Sequence, residues 1–125
     1  MEREIQIIAG LGFLIIGVSH LVQPMAWVEY FRHLRSLGKP GMFADGFVLL
    51  NFGVLVVAFH NVWTWPAVVL TVVGWAQVAK AVLRFVTPSF SLLVYEKVAP
   101  KTAGKFRAAG VLSIALGAFF IWLAV

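Results

Sequence analysis

Apolar residues in this chain come in long runs separated by short polar punctuation, and within the runs they do not alternate. Four runs stand out, over residues about 5–22, 42–59, 65–86 and 106–125. Their polar members are few and include Gln6, Ser19 and His20 in the first, Asp45 and Asn51 in the second, Gln77, Lys80 and Arg84 in the third, and Arg107 and Ser113 in the fourth. Crossing ~30 Å of hydrocarbon at ~1.5 Å per residue takes about 20 mostly apolar residues. In hydrocarbon each backbone N–H and C=O must be bonded within the protein, and a lone segment manages this only as a helix. Spanning strands would alternate with a period of two. The pattern therefore predicts an all-α fold, a polytopic membrane four-helix bundle forming one transmembrane domain over residues 1–125.

Two shorter helices are expected between the spans. Over residues about 25–37, Trp27, Tyr30, Phe31, Leu34 and Leu37 share one face and Glu29, Arg32, His33 and Ser36 the other. Pro24 and Gly38 bracket it as a helix start and stop should. It is too short to span and is expected to lie in the headgroup plane, with Glu29 paired to Arg32 or His33. Its counterpart over about 89–98 is apolar nearly all round until Glu96 and Lys97, and Pro100 ends it.

Composition sharpens the class. Apolar residues make up 62% of the chain, charged residues 12%, and the mean hydropathy is +0.95. A soluble domain carries about 25% charged residues, so an ordinary soluble enzyme and a disordered tail are both excluded. There is no cysteine, which excludes a disulfide scaffold. The first apolar run follows an acidic Met1-Glu2-Arg3-Glu4 segment and precedes no small-x-small site, so it reads as a retained span rather than a cleaved signal.

Charge then orients the spans. Arg32, Arg35 and Lys39 lie between spans one and two, and Lys80, Arg84, Lys97, Lys101, Lys105 and Arg107 in or after span three. Nine of the ten basic residues thus fall on one side, which the positive-inside rule makes cytoplasmic. Both termini then face outward, as in a bacterial cytoplasmic (inner) membrane protein, and Trp63 and Trp65 sit at the outer interface. The net charge of +5 reads as topology signal and contact with anionic headgroups, not nucleic-acid binding, because no nucleic-acid motif accompanies it.

A shift of 64 residues aligns 2–61 with 66–125 without a gap. Seven positions are then identical, and four of these are Gly or Pro: Gly10/Gly74, Pro24/Pro88, Gly46/Gly110 and Gly53/Gly117. Each half reads span, Pro, interfacial helix, basic turn, span. Two spans per half make the repeats parallel, related by an axis along the membrane normal. Glycines also recur seven apart at Gly10/Gly17, Gly46/Gly53 and Gly110/Gly117, with Gly74/Ala81 imitating them. Seven residues is nearly two turns, so each pair marks a stripe along which helices approach closely, as in a tight left-handed bundle.

Intramembrane polar groups are the candidates for function, because lipid makes them costly. His20, Gln77, Arg84 and Ser113 each follow a stripe residue by three and should point inward. His20, Asp45, Gln77, Lys80 and Arg84 are expected to line a net-positive pocket open to the cytoplasmic side, suited to an anion, a lipid phosphate or a quinone carbonyl. Each has a plainer reading as well: snorkelling for Arg84, an ion pair with Asp45 for Lys80, and interhelical hydrogen bonds for His20, Gln77 and Asn51. Asn51 lies off the glycine stripe and is expected to meet neighbouring spans or a second subunit. No HExxH, P-loop or nucleophile elbow is present, and no metal site or catalytic group is assigned.

Over about 85 residues the chain resembles the DoxX-like group of small four-helix membrane proteins. The resemblance is carried by Gly10 to Leu21, including Gly12, Gly17, Ser19 and His20, then Pro24 and the short helix, Gly46 and Gly53, and Gly74-Trp75. It implies a membrane subunit linked to a quinone or a redox partner. Asn51 stands near the place where typical members often carry an acidic residue, a departure from that pattern. Three readings follow: a non-enzymatic binding or accessory subunit engaging a lipid, quinone or membrane-protein partner; an oligomeric transporter or channel; and an enzyme acting on a lipid-like substrate through His20 and Lys80. The absence of a deep carboxylate counts against the second, and that of a nucleophile–base pair against the third.

Overall fold

Prolines set the starts of several helices. A computed structural model describes residues 1–125 and contains α1 (Glu2–Val22), α2 (Pro24–Ser36), α3 (Lys39–Phe59), α4 (Val68–Val86), α5 (Pro88–Tyr95), a 3₁₀ turn (Pro100–Thr102) and α6 (Ala103–Ala124). Pro24 and Pro88 open α2 and α5, and Pro40 lies in the first turn of α3, where a missing N–H costs no helical bond. Gly38, at φ 70°, ends α2 and turns the chain into α3, a conformation that only glycine adopts cheaply. The chain is all-helical, and α1, α3, α4 and the stretch ending in α6 are long and apolar enough to cross a membrane.

The boundaries depart from the apolar runs by a turn or less. Helices α1, α3 and α6 begin three residues earlier than those runs, because hydrogen bonding continues into polar residues such as Lys39 and Lys105. Helix α4 begins three residues later, the chain at Trp65–Ala67 being occupied by a turn. Helix α5 stops at Tyr95 rather than 98, after which Lys97 and Val98 close tighter turns onto Val94 and Tyr95 carbonyls.

The chain divides into two units, Met1–Val28 with Pro100–Val125, and Glu29–Ala99. In the first, α1 and α6 run antiparallel with backbones in close contact. A methyl group added at Gly17 would stand 2.8 Å from the Gly110 carbonyl oxygen, and one at Gly117 2.8 Å from that of Gly10. Ser113 Oγ donates to the Phe13 carbonyl at 2.7 Å, and Phe13 meets the fully buried Phe120 edge to face. Arg3 Nε donates to the Ala124 carbonyl at 3.0 Å, satisfying a free acceptor at the end of α6.

In the second unit α3 and α4 run antiparallel, with α5 packed on both. A methyl group at Gly53 would stand 3.0 Å from the Gly74 carbonyl oxygen, and one at Gly46 3.0 Å from Arg84 Cβ. Leu34 of α2, Met42 of α3 and Tyr95 of α5 form a buried cluster, flanked by Phe31 and Leu92. The expected apolar face of α2 is thus divided. Phe31 and Leu34 pack on protein, while Tyr30 and Leu37 remain exposed. Its ion pair is made by Arg35 with Glu96 at 2.9 Å, between two half-exposed side chains, where the sequence suggested Glu29 with Arg32 or His33.

Candidate functional site

Among the six polar residues singled out from the sequence, the structure brings Asp45 and Arg84 together. Arg84 Nε donates to Asp45 Oδ2 at 3.1 Å, with both side chains almost wholly buried. The sequence offered Lys80 as the partner of Asp45, and snorkelling as the fate of Arg84. The register of the antiparallel pair decides otherwise. Gly46 lies against Arg84 and Phe85, so the carboxylate one residue before it meets Arg84, and Lys80, a turn earlier on α4, is exposed.

Helix α5 completes the network. The Tyr95 hydroxyl donates a short hydrogen bond to the same Asp45 Oδ2. Arg84 Nη1 donates to Ser91 Oγ at 3.5 Å, and its guanidinium carbon lies 5.1 Å from the Tyr95 ring centroid. Ser91 and Tyr95 are four apart on α5, so they project one above the other. Burial pushes the Tyr95 phenol well above its ordinary range, and the hydrogen bond to the Asp45 carboxylate adds to the shift. Tyr30 is also raised, by burial first and by the charge of Asp45 second. No buried side-chain nitrogen or oxygen is left without a partner. The network joins α3, α4 and α5.

His20 belongs to the other unit and has a different environment. Its Nδ1 lies 2.8 Å from the Ile16 carbonyl, which only accepts, so Nδ1 carries the proton. One face of the ring stacks on Trp27 at 4.1 Å between centroids and 17° between planes. Phe106 follows at 6.0 Å and 24°. Trp27 is itself held by its indole N–H, which donates to Ser19 Oγ at 2.9 Å. The imidazole is thus fixed in tautomer and plane, and its second nitrogen, Nε2, stays open at the surface of a half-buried side chain. A neutral ring accepts a hydrogen bond there, and a protonated one donates.

The remaining candidates stand apart. Gln77 is half-buried on α4. Asn51 is exposed, with Nδ2 donating to the Phe47 carbonyl one turn back at 2.8 Å. Neither joins the Asp45–Arg84 network. No group of three or more His, Asp or Glu side chains is placed to hold a metal ion.

A second polar cluster lies at the far end of α3. His60 is fully buried just after the helix. The Thr71 hydroxyl donates to the His60 carbonyl at 2.8 Å and accepts from the Val62 N–H at 3.0 Å. His60 Nδ1 lies 3.2 Å from that hydroxyl oxygen, whose proton is committed, so the ring donates. The cluster ties the α3–α4 connection to the first turns of α4.

Sequence reasoning missed Tyr95, Ser91 and the Trp27 stack. The signal for the first two was available: Ser91 and Tyr95, four apart on a mostly apolar short helix, share one face and can meet a polar partner together. Comparison with known proteins returns no matching family model, no matching curated protein and no matching solved structure.

Proposed function

We propose that this chain is a small integral membrane protein that acts without catalysis of its own, as a binding or accessory subunit. It holds the oxygen-bearing head of an amphipathic ligand, a lipid or a quinone, at His20. The observation that carries this reading is the His20 ring, locked by the Ile16 carbonyl and the Trp27 stack with Nε2 left open. An imidazole so fixed gives one directional hydrogen bond at little entropic cost, accepting from a quinol or glycerol hydroxyl and, when protonated, donating to a quinone carbonyl or phosphate. The Trp27 and Phe106 rings beside it offer a planar apolar surface for a ring or acyl chain. We assign the Asp45–Arg84–Tyr95–Ser91 network an architectural role, because its members are spent largely on one another.

Topology follows the basic residues. His20 stands at the end of α1 nearest to them, on the cytoplasmic side of an inner membrane, with both termini outside. Two parallel repeats of span, interfacial helix and span are supported by matching contacts. Gly46 meets Arg84 and Phe85, and Gly110 meets His20 and Leu21; a shift of 64 residues carries one set onto the other. Gly53 against Gly74 and Gly117 against Gly10 correspond in the same way. The quinone in this reading comes from the DoxX-like resemblance of the sequence, which implies such a link.

The test is ligand retention and quinone quenching. The protein in lipid nanodiscs is titrated with decyl-ubiquinone while tryptophan emission is followed, and its co-purified lipids and quinones are identified by mass spectrometry. Quenching through this site should saturate, fall at least tenfold in affinity in His20→Ala, and lose most of its amplitude in Trp27→Phe. Unchanged quenching and an unchanged set of bound molecules in His20→Ala refute the reading.

A further inference from the structure

His20 and Arg84 hold equivalent places, and only one of them has a carboxylate beside it. A shift of 64 residues carries His20 onto Arg84 and Gly110 onto Gly46. The contacts correspond as well. A methyl group added at Gly46 would stand 3.0 Å from Arg84 Cβ, and one added at Gly110 3.0 Å from His20 Cβ. In the unit of α3 and α4, the residue before Gly46 is Asp45, whose carboxylate accepts from Arg84 Nε at 3.1 Å. In the unit of α1 and α6, the residue before Gly110 is Ala109, exposed and with no polar atom in its side chain. His20 therefore has the setting of Arg84 without the carboxylate.

The rest of the unit does not supply that charge. Its acids, Glu2 and Glu4, open α1, at the opposite end of that helix from His20. Lys101, Lys105 and Arg107, all exposed, stand in the 3₁₀ turn and the start of α6. Lys105 and Arg107 flank Phe106, whose ring centroid lies 6.0 Å from that of His20. The other acids of the chain are Glu29, Asp45 and Glu96. Asp45 is paired with Arg84, and Glu96 with Arg35. Wherever Glu29 reaches, it balances one cation at most. One end of the α1–α6 pair thus gathers three basic side chains and an imidazole that the chain's own carboxylates are too few to neutralise. Unpaired charge at the edge of hydrocarbon is costly, so an anion from outside the chain is favoured there.

We propose that the ligand at His20 is an amphiphile with an acidic head, whose anionic oxygen takes beside His20 the place that the Asp45 carboxylate takes beside Arg84. This rests on His20 being the ligand site and narrows its occupant from a lipid or a quinone to an acidic lipid. The Nδ1 hydrogen is committed to the Ile16 carbonyl, so the anion is met by the Nε2–H of the protonated ring. Lys105 and Arg107 add attraction from either side of Phe106, and the apolar chain is left the faces of Trp27 and Phe106. A carboxylate and a phosphate share this chemistry, an anionic oxygen at the end of an apolar chain.

Two matched pairs of probes test it: oleate against oleyl alcohol, and dioleoyl phosphatidic acid against dioleoylglycerol. Each is offered to the protein in neutral detergent, and native mass spectrometry counts the molecules bound. At least one acidic member should be retained about tenfold better than its neutral partner, the worth of one hydrogen bond to a charged group. The pair that shows this identifies the head as carboxylate or phosphate. The preference should vanish in His20→Ala. Ala109→Asp supplies the missing carboxylate from the chain itself and should abolish the preference as well. Ala108→Asp adds the same charge one residue away, about 100° around the helix, and should keep it. Both alanines are exposed, so both variants are expected to fold, checked by circular dichroism. Equal retention within both pairs, or an acidic preference that persists in His20→Ala or in Ala109→Asp, would overturn the proposal. Decyl-ubiquinone quenching that still depends on His20 would then leave the broader reading standing, whereas indifference of every probe to His20→Ala removes both.

Discussion

Replacing Asp45 tests the Asp45–Arg84–Tyr95 network most directly. Asp45→Leu removes one anion and leaves the Arg84 guanidinium, whose side chain is only 14% exposed, without a countercharge. It also strands the Tyr95 hydroxyl. Breaking a buried ion pair from one side costs about 3–5 kcal/mol, and a lost hydrogen bond to a charged group about 1.5–3 kcal/mol. Because Arg84 and Tyr95 share one carboxylate oxygen, these costs overlap, and about 4–5 kcal/mol is expected for the single change. Arg84→Met should cost about 3–5 kcal/mol for the mirror-image reason. If the cost is mainly that of unpaired charge, the pair removed together should be far less damaging than the sum. Asp45→Leu with Arg84→Met should fall to about 1–3 kcal/mol, the residue of an unpaired phenol. Adding Tyr95→Phe should bring the chain back to within about 1 kcal/mol of the parent. Equilibrium unfolding in mixed micelles with increasing dodecyl sulfate measures each value, and the double-mutant cycle isolates the coupling. Additive losses in the double variant would refute the reasoning, and so would loss of ligand retention in a fully folded triple variant.

Three further outcomes are expected. Gly17→Ala should destabilise by about 1–3 kcal/mol through overpacking against the Gly110 carbonyl, whereas Gly12→Ala, with nothing within 4 Å of the new methyl, should be neutral or slightly stabilising in the same unfolding assay. Thr71→Val should cost about 1–3 kcal/mol by leaving the His60 carbonyl and the Val62 N–H unpaired, and Thr71→Ser should restore most of it; amide hydrogen exchange at Val62 reports the change locally. The raised pKa of Tyr95 means that the folded state holds the phenolic proton more tightly than the unfolded state, whose value is 10.0. Its stabilising contribution is thus complete below pH 10 and lost as the pH rises through the folded value; ultraviolet titration at 295 nm should show two tyrosinate steps beyond pH 10, of which the later disappears in Tyr95→Phe while that of Tyr30 remains.

Much of the architecture was legible because lipid leaves few choices. A run of apolar residues without alternation can cross hydrocarbon only as a helix, so α1, α3, α4 and α6 could be placed within about a turn. The glycine stripes could be read for a similar reason. A seven-residue recurrence puts Gly10 with Gly17 and Gly110 with Gly117 on one face each, and in the structure those faces meet. Pro24 and Pro88 likewise announced α2 and α5 through the missing N–H.

The candidate site was legible only in its membership. Asp45 and Arg84 were recognisable as costly intramembrane groups, and Asn51 as a residue off the stripe. Which of them touch was decided by how far α3 slides along α4, and a displacement of one turn separates an Asp45–Lys80 pair from the Asp45–Arg84 pair that forms. No local property of the chain encodes that slide; it is set by the fit of glycines against Val56, Val78 and Phe85. Tyr95 and Ser91 escaped for the same reason, since their partners stand 50 and seven residues away and meet them through folding. Periodicity along one helix is written in neighbouring residues. Register between helices is written in surfaces that exist only once the helices have packed, and the pairing of every buried charge in this protein waits on it.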